Sequence, residues 1–163
     1  LQKITQTTIA YLKGKIAAGV DIIQVFDSWA SLLSPAQYQE FALPYIQQIC
    51  EEIQSVPKIA FARGAAHSWP AFANPNIQVI GLDWGIRAEE ARKLLGNKQV
   101  VQGNLDPCAL YSQPADIQQL TENMLKDFGG HHITNLGHGV YPDTPLENVR
   151  CFVDTVKNFR YSG

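Results

Sequence analysis

A parallel α/β fold is what this sequence predicts, on three observations. Five short β-rich runs recur along the chain, each followed by a polar cluster and an amphipathic helical stretch. Most of the runs are near-continuously apolar, as a strand buried on both faces of a parallel sheet requires. Proline and glycine stand where the intervening helices should begin and end. Repeated βα units of this kind imply a parallel sheet with right-handed crossovers.

An extra N-terminal helix comes first, because Ile9, Leu12, Ile16 and Val20 fall on one helical face. The runs then follow as "DIIQVF" (21–26), "KIAFA" (58–62), "QVIGL" (78–82), "QVVQG" (99–103) and "HITNL" (132–136). Between the first two, "SPAQYQEFALPYIQQICEEIQ" places Ser34 as N-cap and Pro35 at the first helical position, with a kink expected at Pro44. "IRAEEARKLLGN" stops at Gly96, and "PADIQQLTENMLKDFGG" closes on a double glycine after Lys126. The last helix, in "DTPLENVRCFVDTVKNF", takes Thr144, Pro145 and Glu147 as its start signals. Five strands do not close an eight-stranded barrel, and 163 residues fall short of the ~250 typical of one, so the sheet is open or belongs to a larger barrel. No GxGxxG or GxxxxGK[ST] follows a strand, which weighs against nucleotide binding.

With 45% hydrophobic and 17% charged residues, the chain reads as one domain over residues 1–163. A net charge of -2 with no basic stripe argues against nucleic acid as a partner. No apolar run approaches the ~20 residues of a membrane span, and "LQKITQTTIAYLKGK" lacks a signal peptide's apolar core, so a cytosolic protein is expected. Leu1 opens directly into a helical pattern, as in a chain that starts in mid-protein. Cys50, Cys108 and Cys151 are odd in number and far apart, and they read as reduced and mostly packing residues. The four histidines form no HxH or HExxH pattern, so no metal is expected.

In parallel βα folds, ligand groups come from the C-terminal ends of strands and the loops that follow. Those positions hold Phe26-Asp27-Ser28-Trp29, Ala62-Arg63-Gly64, Asp83-Trp84, Gln102-Gly103-Asn104-Leu105-Asp106 and Asn135-Leu136-Gly137-His138-Gly139. Asp27, Asp83 and Asp106 read either as site carboxylates or as caps of the following turn. Ser28 has no GxSxG elbow around it, so it is a turn cap or a donor to an anionic ligand rather than a nucleophile. Arg63 either pairs with a neighbouring Asp or binds a substrate carboxylate. Trp29 and Trp84 are rim hydrophobes or the wall of an apolar pocket. His138 gains little packing from Gly137 and Gly139, and glycines there favour close approach of backbone to a ligand. His67, His131 and His132 are expected at the surface.

The segments "VFDSWASLLSPAQYQEFALPYI", "VIGLDW", "QVVQGNLDPCALY" and "NLGHGVYPDTPLENVRCFVDTV" resemble the uroporphyrinogen decarboxylase family, in order and essentially from end to end of the chain. The resemblance implies a partial TIM (β/α)8 barrel of about five βα units. It implies cofactor-independent loss of CO2 from four acetate side chains of uroporphyrinogen, giving coproporphyrinogen, by a full-length enzyme that is a homodimer. Ser28 matches a substrate-contacting serine, His138 a histidine that contacts a substrate carboxylate, and Phe26 an apolar residue beside the macrocycle. Arg63 matches, more loosely, a basic position. The family's "RQAGR" motif, its pyrrole-anchoring aspartate and its active-site tyrosine have no counterpart here and would precede Leu1. The catalytic residues are left unassigned in this chain, and the resemblance implies that the chain alone is inactive. Two other readings remain: a non-catalytic half-barrel that packs on a partner, and a zinc-dependent methyltransferase of the related barrels, against which the absence of an HxC motif counts.

Overall fold

The computed structural model describes residues 1–161. Its contacts fall into two compact units, Leu1–Gly81 and the residues from Leu82 onward.

The first unit runs α1 (Gln2–Ala17), β1 (Ile23–Asp27), α2 (Pro35–Phe41), α3 (Leu43–Glu52), β2 (Lys58–Ala62), α4 (Trp69–Phe72) and β3 (Val79–Gly81). Its strands pair in parallel, β1 with β2 and β2 with β3. Ile9, Ile23, Ile49 and Ile53 bring α1, β1 and α3 into one core, with Leu12, Ile16, Val25 and Val56 packed at its margin. Val20 falls outside this face, because α1 ends at Ala17 and the chain turns at Gly19, whose φ of 102° suits glycine alone. β2 is buried along its whole length, as the apolar run predicts. Even Lys58, 2% exposed, is accommodated, its Nζ donating to the Ile53 carbonyl at 2.6 Å.

Ser34 caps α2 through a reciprocal pair: its Oγ accepts from the Gln37 amide at 3.3 Å, and Gln37 Oε1 accepts from the Ser34 amide at 3.0 Å. The single kinked helix expected here is two helices, broken at Ala42. Pro44 thereby falls in the first turn of α3, where a missing N–H leaves no carbonyl unpaired.

The second unit runs α5 (Ala88–Leu95), β4 (Val100–Leu105), α6 (Pro114–Phe128), β5 (His132–Leu136) and α7 (Leu146–Asn158), with β4 and β5 parallel. α5 and α6 end on Gly96 and Gly129, at φ of 80° and 65°, as the glycine signals predict. In β4 the residues alternate, Val101, Gly103 and Leu105 buried and Val100, Gln102 and Asn104 half-buried. Burial on both faces therefore describes β2 and β3, whereas one face of β4 is only partly covered and one face of β5, with Ile133 and Asn135, is exposed. Thr144 does not cap α7; Pro145 occupies the cap position, and the Thr144 hydroxyl donates to Tyr111 Oη at 3.4 Å. The helix is instead tied down by buried Asn148, whose amide donates to the carbonyls of Leu110 at 2.8 Å and Ser112 at 3.1 Å.

His132 corrects a surface expectation. Its ring stacks on Phe128 with centroids 4.6 Å apart, and Nε2 donates to the Gly103 carbonyl at 2.5 Å, because the strand period turns it toward α6. The three cysteines are free, but only Cys50 is a buried packing residue; Cys151 is half-buried and Cys108 exposed.

Candidate functional site

In the first unit, the parallel register sets Phe26 opposite Phe61, and the two rings meet edge-on at 6.0 Å and 68°. Phe26 remains 66% exposed, a large apolar surface at the C-terminal end of β1. The Asp27 carbonyl accepts from the Arg63 amide at 3.1 Å, so the loops after β1 and β2 leave the strands together. Gly64 has φ of +68°, and a Cβ there would stand 2.7 Å from Ser31 Cβ. Only glycine lets the Arg63 turn pack on the turn that follows Ser28. Phe26, half-buried Ser28 and half-buried Arg63 are thus gathered at one end of this unit, beside exposed Trp29.

Sequence reasoning passed over Tyr38. It lies on α2 with no exposed surface, its ring edge-on to His67 at 6.0 Å and to Phe72 at 6.4 Å. Burial first, and the Asp27 carboxylate second, push its hydroxyl far above the ordinary tyrosine value, so it holds its proton throughout the physiological range. A tyrosine on the apolar face of a helix reads as core from sequence, and nothing there signals the nearby carboxylate.

In the second unit, Asp83 is 8% exposed and its Oδ1 accepts from the Gly85 amide at 2.7 Å, a turn brace. Asp106 likewise accepts from the Cys108 amide at 2.9 Å. Asn104, at the end of β4, donates through its side-chain amide to the carbonyls of Asp83 at 3.0 Å and Ile86 at 2.7 Å. These bonds fix both ends of the loop that carries Trp84.

β5 runs out through Gly137, whose amide donates to the Leu105 carbonyl at 2.7 Å, to exposed His138. The imidazole faces Trp84 with centroids 6.4 Å apart and planes at 82°. The flanking glycines differ in role. Gly137 makes room for backbone against backbone, whereas a Cβ on Gly139 would meet nothing within 4 Å. Among the described residues, no group of three or more His, Cys, Asp or Glu side chains is placed to hold a metal ion, and no helix is long and apolar enough to cross a membrane.

A sequence model of the uroporphyrinogen decarboxylase (URO-D) family matches residues 1–159. The uroporphyrinogen decarboxylase of Christiangramia forsetii is 47% identical over 162 residues, covering 98% of this chain and 48% of that protein. The human protein of that name is 40% identical over 166 residues, covering 96% and 45%. The chain therefore spans about half the length of the curated relatives it matches. Among solved structures, a methyltransferase from Methanosarcina mazei superposes with a TM-score of 0.82 at 22% identity, covering 94% of this chain and 46% of that one. At that identity the likeness concerns the fold, which is the partial (β/α)8 barrel that the family resemblance implied. With a family match over nearly all of its residues and close relatives from bacteria to human, the chain belongs to the uroporphyrinogen decarboxylase family.

Proposed function

We propose that this chain supplies the C-terminal part of an enzyme that decarboxylates the four acetate side chains of uroporphyrinogen to give coproporphyrinogen, without a metal or organic cofactor. The observation that carries this is the family match across residues 1–159. The chemistry needs three things of a protein. Loss of CO2 leaves an electron pair that must be delocalised, and a pyrrole protonated on ring carbon provides the sink within the substrate. The protein then has to bind a polyanionic macrocycle, favour the protonated ring, and return a proton to the methylene left behind.

Residues of this chain suit the first task. Phe26 offers an apolar face for the macrocycle, and Ser28 a hydroxyl that can donate to the substrate. Arg63 and His138 offer donors to carboxylates, the guanidinium in a fork that matches carboxylate geometry. No residue here is assigned the protonation of the pyrrole or the methylene. In the same reading the enzyme works in the cytoplasm as a homodimer.

Anaerobic equilibrium dialysis of uroporphyrinogen against the chain and against Ser28→Ala and His138→Ala tests the binding role. Saturable binding weakened at least several-fold in each variant supports it; binding equal in all three rules out both assignments.

A further inference from the structure

We propose that Trp84 is a positioning residue for His138, and that Asn104 positions Trp84 in turn. This rests on His138 being a substrate contact, and it names what holds that contact in place. His138 lies between two glycines, which contribute no side chains to its packing. Its ring meets Trp84 at 6.4 Å and 82°, an edge-to-face arrangement that is attractive in itself and restricts rotation of the imidazole. Trp84 is 39% exposed and belongs to a loop, so it must be held by something else.

Three contacts fix the backbone of its loop. Asn104 spans the loop with its two amide bonds to Asp83 and Ile86, at 3.0 and 2.7 Å. Asp83 closes the turn by accepting from Gly85 at 2.7 Å. Gly137 lies directly against the Trp84 amide, close enough that an added Cβ would be 2.5 Å from that nitrogen. Backbone contact at Gly137 and ring contact at His138 therefore join the same two segments, and the imidazole direction follows from the loop geometry.

The test uses ligand-free NMR of the His138 ring protons together with uroporphyrinogen affinity, in the wild-type chain and in Trp84→Leu, Trp84→Phe and Asn104→Asp. Losing one perpendicular ring pair corresponds to roughly a five-fold loss of affinity. Trp84→Leu should show that loss, with His138 resonances moved out of the indole ring current and an unchanged melting temperature. Trp84→Phe should restore most of the affinity. Asn104→Asp keeps the side-chain size but loses both amide donors, and it should displace the same His138 resonances. His138 resonances unmoved in Trp84→Leu, or moved with affinity intact, would overturn the proposal. If the wild-type protein binds no uroporphyrinogen, the functional reading and the affinity consequence both fall, and the ligand-free resonances alone decide whether Trp84 fixes the imidazole. Should Asn104→Asp fail to fold, the contrast between Leu and Phe at position 84 still decides.

Discussion

Gly137 and Trp84 meet so closely that a Cβ built on the glycine would stand 2.5 Å from the Trp84 amide nitrogen and 3.0 Å from the Asp83 carbonyl carbon. Both neighbours are backbone, so neither can rotate away. Gly137→Ala is expected to destabilise the protein by about 1–3 kcal/mol, the usual scale of overpacking. Gly139→Ala, in open space, should lie within about 0.5 kcal/mol of wild type. Chemical denaturation of the two variants checks the contrast, and equal midpoints would contradict it.

The Ser34 cap invites a second test. Ser34→Ala removes the oxygen that accepts from the Gln37 amide and should cost about 1 kcal/mol. Thr144→Ala removes only a long, exposed hydroxyl contact and should cost clearly less. A larger loss at position 144 than at 34 would mean that the cap assignments are reversed.

Thiol labelling should separate the cysteines. Burial pushes the Cys50 thiol up to about 11, with nearby Lys58 opposing and Glu51 adding to the shift, so the reactive thiolate is scarce as well as covered. Cys108 is exposed. Mass spectrometry after brief alkylation at neutral pH should find Cys108 modified and Cys50 intact until the protein is unfolded. Early modification of Cys50 would show that the core around it opens readily.

His132 predicts a pH dependence of stability. Burial lowers its pKa below the ordinary 6.5; the hydrogen bond to the Gly103 carbonyl opposes this, and Arg92 adds to it. The unfolded chain, with the ordinary value, takes up the proton first as pH falls. The contribution of His132 to stability is therefore fully present above about pH 7 and declines through pH 6.5 toward the lowered folded value. His132→Gln should flatten that decline, as read from denaturation midpoints between about pH 5 and 8. Parallel pH profiles for wild type and variant would contradict the assignment.

Much of the fold was legible in the sequence because its signals are local. Ser34, Gly96 and Gly129 mark helix ends through backbone chemistry that adjacent residues reveal. The continuous run at Lys58–Ala62 reports burial on both faces. What was missed depends on contacts distant in sequence. His132 turns inward only because α6 lies over β5. At the site, the polar strand ends were visible, but neither buried Tyr38 near Asp27 nor the span of Asn104 across the Trp84 loop leaves a motif. Asp83 and Asp106 looked the same in sequence as Asp27, and only the geometry identifies these two as turn braces.

The most direct measurement joins this chain to the other half of the family's length, taken from the Christiangramia forsetii relative, and follows anaerobic conversion of uroporphyrinogen by chromatography of the oxidised porphyrins. If the chain carries the substrate-binding part of a decarboxylase, coproporphyrinogen should accumulate, and Ser28→Ala and His138→Ala should each lower kcat/KM at least ten-fold with little change in melting temperature. A folded chimera that forms no coproporphyrinogen, or one that turns over equally well with both residues replaced, would contradict it.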